Sequence, residues 1–290
     1  MKVAHRVGEL DSRPRAVAVG TFDGVHRGHQ AVLAAAVATG DGLVPTVVTF
    51  EPHPRAALGN RVELLTTLER RLELLAAAGV AETLVVEFTL ELAALDPETF
   101  AARVLRPIGT ELVVAGADFR FGHRRSGDLA SIVASGFAVE AVPLLEGISS
   151  SNTRRLIGEG AVEAAAELLG RPPELDGLVV PGDARGGTLG FPTANLRLHP
   201  DLIVPRYGIY AGASAGHRAA VSIGTNPHYG GFERRIEAFL LDFEGDLYGR
   251  RLVVELWRRL RDEQAFASEQ ELLAQIARDV AETRRAQRPV

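Results

Sequence analysis

Ala16-Val17-Ala18-Val19-Gly20-Thr21-Phe22-Asp23-Gly24-Val25-His26-Arg27-Gly28-His29 is the stretch on which the reading of this chain turns. Its first five residues are small and apolar and end in glycine, the pattern of a short buried strand. From Gly28 to Thr39 the residues Val32, Leu33, Ala36 and Val37 recur at helical spacing. Two imidazoles therefore sit where a strand turns into a helix, and backbone N–H groups and the helix dipole favour phosphate at such a point. His26 and His29 can donate to phosphate oxygens as negative charge builds in a transition state. Gly20, Phe22, Asp23 and Gly28 complete the turn as candidate nucleotide contacts. The plainer alternative is a pair of capping or surface histidines.

Working outward, β-rich runs at 44–50, 83–88, 111–116 and 138–142 alternate with helical patterns. One helix starts near Thr66/Thr67 and ends near Gly79, another spans 97–105 behind Asp96-Pro97, and a third covers 129–135. This alternation predicts an α/β domain, a Rossmann-like parallel sheet covered on both faces. Ligands bind such sheets beyond the carboxyl ends of the strands, where residues 21–29 and the loop 118–128 would lie. A helix over 162–169 and then Arg171-Pro172-Pro173 mark a junction, dividing the chain into 1–171 and 172–290. Beyond it, short runs at 177–180, 208–211, 219–224, 236–242 and 252–256 predict an antiparallel barrel or sandwich. Residues 269–285 place Leu272, Leu273, Ile276 and Val280 on one face of a terminal helix.

Bulk properties remove several classes of function. A length of 290 residues suits two domains, and the net charge of −5 argues against nucleic acid or an anionic membrane as principal partner. The absence of cysteine excludes disulfides, thiolate metal sites and cysteine nucleophiles. Residues 1–11 lack the apolar core of a signal peptide and no apolar run reaches spanning length, so a cytoplasmic location is expected. Lys2 is the sole lysine, which rules out a P-loop of the GxxxxGK[ST] type. Phosphate chemistry here must rest on loop amides, arginines, histidines and a metal. Exposed arginines on both halves leave room for weak self-association.

Three further stretches carry chemistry. Ser149, Ser150 and Arg154 stand at a second helix start, suited to an anion such as departing pyrophosphate or, more plainly, to a cap. Gly182, Arg185, Gly186 and Gly190 form a glycine-rich loop that can wrap phosphates or simply turn a hairpin. Just after it, Thr193 and Asn195 point to one side of an extended segment, and such oxygen ligands suit a Mg²⁺ that bridges substrate phosphates. Glu237, flanked by apolar residues, is either on a solvated strand face or a positioned general base.

Taken together, GTFDGVHRGHQ, TFEPHPR (49–55), GADFRFGHRRSGD (116–128), ISSSNTR (148–154), GFPTANL, SIGTNP, IEAFLLDFEGDLYGRRL and RDEQAF are similar to the bacterial bifunctional riboflavin kinase/FMN adenylyltransferases over almost the whole length. The resemblance implies a nucleotidyltransferase-like front domain that joins FMN to the AMP part of ATP, releasing pyrophosphate. It implies a β-barrel riboflavin kinase behind it that moves the γ-phosphate of ATP to riboflavin. Under it Glu237 is the kinase base, Thr193 and Asn195 contact Mg²⁺ and nucleotide, and His26, His29 and Arg154 act in adenylyl transfer. Pro54, Asp118, Phe119, Arg261 and Phe266 fall in segments that would contact flavin. Gly187, Thr153, His228 and Tyr229 depart from the family pattern without removing a residue that has an assigned role. A chain with one live module, or a flavin- or nucleotide-binding protein without turnover, are the competing readings.

Overall fold

The computed structural model describes residues 1–39, 42–182, 191–226 and 233–290. The chain forms two compact units, Met1–Val62 with Leu68–Ser149, and Glu63–Thr67 with Ser150–Val290.

In the first unit six strands build one sheet: β1 (Lys2–Ala4), β2 (Arg15–Val19), β3 (Val44–Glu51), β4 (Glu82–Glu87), β5 (Thr110–Gly116) and β6 (Ala138–Val142). All pair in parallel, in the order β1-β4-β3-β2-β5-β6. The helices between them are α1 (Arg27–Ala38), α2 (Pro54–Ala57), α3 (Leu68–Ala77), α4 (Leu90–Ala93), α5 (Pro97–Phe100) and α6 (Leu129–Ala134). Successive strand residues feed opposite faces. Val17, Val19, Val48 and Val113 pack with Phe100, Leu105 and Ile132, whereas Ala18, Val47 and Val114 pack with Leu33, Ala36 and Leu75. Both faces are thus covered, as the near-continuous apolar strands predict. Asp96 caps α5 by accepting from the Thr99 N–H, and Asp128 caps α6 through Ser131. The expected helix over 97–105 is α-helical only to Phe100 and continues as a π-turn over Ala101–Leu105.

Arg15, the first residue of β2, is the largest fully buried side chain among the described residues. Its guanidinium donates to Glu82 Oε2 (2.9 and 2.7 Å), to Asp11 Oδ1 (2.9 Å) and to the Asp11, Arg13 and Ile108 carbonyls. Every direction in which the charge points is met by oxygen, which is what burial of a guanidinium requires.

In the second unit β7 (Glu174–Val180), β8 (Ala194–Leu198), β9 (Gly208–Ser214), β10 (His217–Asn226), β11 (Glu233–Leu240) and β12 (Arg251–Arg261) close a barrel in the order β10-β11-β8-β7-β12-β9. All six pairings are antiparallel. Leu175, Ala194, Tyr210, Val221, Ala238 and Val254 fill the interior. A Cβ on Gly212 would lie 1.9 Å from the Glu255 carbonyl, so only glycine lets β9 approach β12 there. α7 (Ser150–Gly158) and α8 (Val162–Leu169) belong to this unit, as does the terminal helix α9 (Glu269–Arg285). The apolar stripe expected on α9 is only half-buried; its most buried residues are Asp279 and Thr283, because Asp279 receives Arg261.

Glu63–Thr67 also belongs to the second unit. The Leu64 N–H donates to Asp201 O (2.6 Å) and the Leu64 carbonyl accepts from Ile203 N–H (2.8 Å). Leu65 packs with Ile157, Ala165 and Ile203. The Thr67 hydroxyl donates to Asp176 Oδ2 (2.5 Å), whose carboxylate also takes a fork from Arg251 (2.7 and 2.9 Å).

Candidate active sites

The turn between β2 and α1 is strained. Phe22 (φ 50°) and Val25 (φ 41°) are left-handed without being glycine, and both are buried. A β-branched residue in that region is a genuine outlier and persists only where its surroundings over-determine it. Asp23 and His26 are buried between and beside them.

His26 is the N-cap of α1, its Nδ1 accepting the His29 N–H at 3.2 Å. That bond puts the proton of the neutral ring on Nε2. The His26 and His29 rings stack with centroids 3.6 Å apart and 15° between planes, and Phe22 meets His29 edge-on at 5.2 Å. A Cβ on Gly28 would stand 3.2 Å from His26 Nδ1, and one on Gly20 would stand 3.3 Å from the Phe22 ring. Both glycines thus make room for the rings that the turn presents. The two histidines are capping residues in one respect, since His26 does cap the helix; the paired rings are what a cap alone does not require.

At the end of the neighbouring strand β3, His53 caps α2, and Pro54 is that helix's first residue. Asp118 is exposed on the loop after β5, and Phe119 stacks on Phe121 at 5.4 Å with 15° between planes. Arg71 of α3 is a residue the sequence offered no signal for: a helical arginine reads as solvated, yet it is 2% exposed. Its guanidinium donates to Thr21 O (2.9 Å) and Glu51 Oε2 (2.6 Å).

Ser149 ends the first unit; Ser150 opens α7 in the second, and Arg154 lies within that helix. Arg154 Nε donates to Glu63 O at 2.6 Å. Thr153, one of the family departures, is fully buried, in keeping with a packing role.

In the barrel, Thr193 and Asn195 are half-buried on either side of Ala194, which points into the core. They share the outer face, as alternation predicts. Asn195 stands opposite Val180 on β7 and opposite Glu237 on β11. A Cβ on Gly182 would fall 2.1 Å from Asn195 Nδ2, so the carboxamide lies where only glycine admits it. Glu237 lies outside the core between buried Ile236 and Ala238, with Arg235 Nη1 3.6 Å from its Oε1. Phe191 packs edge-on against Phe239 at 5.4 Å, tying the residues before Thr193 to the Glu237 strand. Arg185, Gly186, Gly187, Gly190, His228 and Tyr229 lie outside the described residues.

Arg261 is committed to a two-pronged pair with Asp279 (3.0 and 2.7 Å), its guanidinium carbon 5.9 Å from the centre of the Phe266 ring. Among the described residues no group of three or more His, Cys, Asp or Glu side chains is placed to hold a metal ion. A hydroxyl, a carboxamide and a carboxylate near one another on the barrel face fit a hard cation that also takes substrate oxygens.

The FAD synthetase family model matches residues 9–152 and the riboflavin kinase model residues 169–287. The chain is 38% identical over 287 residues to the bifunctional riboflavin kinase/FMN adenylyltransferase of Listeria monocytogenes, covering 93% of this chain and 91% of that one. It is 36% identical to the Escherichia coli protein of the same name, with 96% of each covered. A crystal structure described as a macrolide-efflux protein from Streptococcus pneumoniae superposes with a TM-score of 0.87 at 32% identity, covering 98% of this chain and 99% of that one. No helix among the described residues is long and apolar enough to cross a membrane. With both family models matched in order and near-complete coverage of the relatives, this chain belongs to the bifunctional riboflavin kinase/FMN adenylyltransferases, which use ATP first to phosphorylate riboflavin and then to adenylylate FMN.

Proposed function

We propose that residues 1–171 carry adenylyl transfer and residues 172–290 carry the kinase, with the residues of each site in the following roles. In the kinase, Glu237 takes the proton of the riboflavin 5′-hydroxyl as its oxygen attacks the γ-phosphorus of ATP and ADP departs. Thr193 and Asn195 hold the nucleotide together with a Mg²⁺ ion, whose contribution is to neutralise charge on the phosphates. Arg185 and the glycines at 182, 186 and 190 supply phosphate contacts, and Arg261 and Phe266 border the flavin. The observation that carries this reading is the pairing of Asn195 with Glu237 across β8 and β11.

In the front module a phosphate oxygen of FMN attacks the α-phosphorus of ATP and pyrophosphate leaves. His26 and His29 donate to the phosphates at the N-terminus of α1, aided by the turn amides of Gly20, Phe22, Asp23 and Gly28. Ser149, Ser150 and Arg154 form the second phosphate motif, and Pro54, Asp118 and Phe119 border the flavin. The stacked imidazoles in a strained turn support this assignment. Substrates of this kind, ATP above all, belong to the cytoplasm, which is where we place the enzyme.

A time course with riboflavin, ATP and Mg²⁺, resolved by chromatography, tests the scheme. FMN should appear first and FAD after it. His26→Ala should stop the reaction at FMN, and Glu237→Gln should stop it at riboflavin while FAD still forms from supplied FMN. FAD formation surviving His26→Ala would sink the assignment of the histidine turn.

A further inference from the structure

Arg71 is the fourth residue of α3, and nothing in its pattern separates it from the half-buried Arg70 beside it, which pairs with Glu73. Burying a guanidinium at 2% exposure costs several kcal/mol unless its donors find fixed acceptors. The acceptors it finds lie on two different strand ends. Nη1 donates to the Thr21 carbonyl at 2.9 Å, in the turn after β2. Nη2 donates to Glu51 Oε2 at 2.6 Å and faces the Phe50 carbonyl at 3.4 Å, at the end of β3. Thr21 O is also the acceptor of the Thr49 hydroxyl, at 3.1 Å.

The carbonyl held in this way belongs to the peptide immediately before Phe22, the first left-handed residue of the histidine turn. Fixing that peptide plane fixes where the strained segment 22–25 begins, and His26 ends the segment. Strain of this kind persists only under outside restraint; Arg71 and Thr49 supply it at the Thr21 carbonyl, where the segment begins, and Gln30 holds the Val25 carbonyl at its far end. We infer that Arg71 is a positioning residue for adenylyl transfer: it locks the Thr21–Phe22 peptide to the end of β3 and thereby sets the stacked imidazoles. The inference rests on reading the histidine turn as the adenylyl-transfer site. Arg71 itself touches no substrate under this account.

The test uses the full chain, with riboflavin phosphorylation as the internal control for folding and concentration. Arg71→Met should lower kcat for FAD formation from FMN by about 10- to 100-fold, the loss expected of a slightly misplaced constellation, with a smaller change in KM for ATP. Arg71→Lys, which keeps charge and bulk but not the fork, should fall between. In Arg71→Ala, added guanidinium chloride at low millimolar concentration should restore part of the rate, which loss of structure alone would not allow. Unchanged FAD formation in the Met and Lys variants, with His26→Ala inactive, would overturn the inference and leave the site standing. If His26→Ala is active as well, the site reading fails and takes the inference with it. A parallel fall in both activities without rescue by guanidinium would mark Arg71 as a structural residue and overturn its positioning role.

Discussion

Asn195 and Glu237 are directly opposed residues on adjacent antiparallel strands. Opposed pairs in such a ladder stand with Cβ atoms about 4.5–5.5 Å apart on one face. Register therefore sets the spacing between the carboxamide and the carboxylate. A slip of one residue would swing Glu237 into the core positions held by Ile236 and Ala238. The barrel core thus enforces the geometry of its own rim.

Glu237→Gln keeps size and hydrogen bonding while removing basicity. FMN formation should fall by about 100-fold or more, the usual worth of a general base, with the melting temperature unchanged. Stopped assays separated by chromatography read this directly, and turnover near the parent rate would remove Glu237 from the mechanism.

Gly182→Ala would place a methyl group 2.1 Å from Asn195 Nδ2, too close for any rotamer to absorb without moving the amide. Kinase kcat/KM for ATP should drop on the order of 10-fold or more, whereas adenylylation of supplied FMN should hold. Steady-state kinetics on both half-reactions distinguishes this from general damage.

Arg15→Met leaves the Glu82 carboxylate, 4% exposed, without its two-pronged partner. Breaking a buried pair from one side costs about 3–5 kcal/mol. Adding Glu82→Leu should recover part of the loss, because the buried carboxylate, left with Arg13 as its remaining charged partner, goes with it. Denaturant unfolding of the parent, the single variant and the double variant gives the three numbers needed.

Asp11 accepts from the Arg13 and Arg15 side chains, which hold its carboxyl well below the ordinary value of 3.8. Because the folded value is the lower one, the unfolded chain binds the proton more readily as pH falls. The contribution is complete above the ordinary value and is lost as pH drops toward the folded one. The parent should therefore lose melting temperature more steeply than Asp11→Asn below about pH 4, the two curves converging in strong acid. Parallel curves would mean that the Asp11 contacts contribute nothing in solution.

Legibility in the sequence followed periodicity. Strands such as Ala138–Val142 and helices such as Val162–Leu169 and Glu269–Arg285 were readable from the sequence, because apolar spacing marked them. Short β1 carries too few residues to show a period, and β8 was readable only as an extended segment behind the glycine loop. The imidazoles and the Thr193/Asn195 alternation were legible because side-chain direction follows from local geometry. Arg71 and Asp279 were not: a buried charge is defined by acceptors far along the chain, and no local pattern announces them. The assignment of Glu63–Thr67 to the second unit was hidden for the same reason.

That last segment bears on how the protein is made. Thr67 leaves the ribosome 109 residues ahead of Asp176, the side chain that accepts its hydroxyl proton. At ordinary synthesis rates the gap is roughly 5 to 20 s. Through that interval the Leu64 backbone groups have no native partner, because Asp201 and Ile203 do not yet exist as chain. The last strand of the first sheet ends at Val142, so all six of its strands exist as chain while the Leu64 bridge to the barrel unit still waits for its partners.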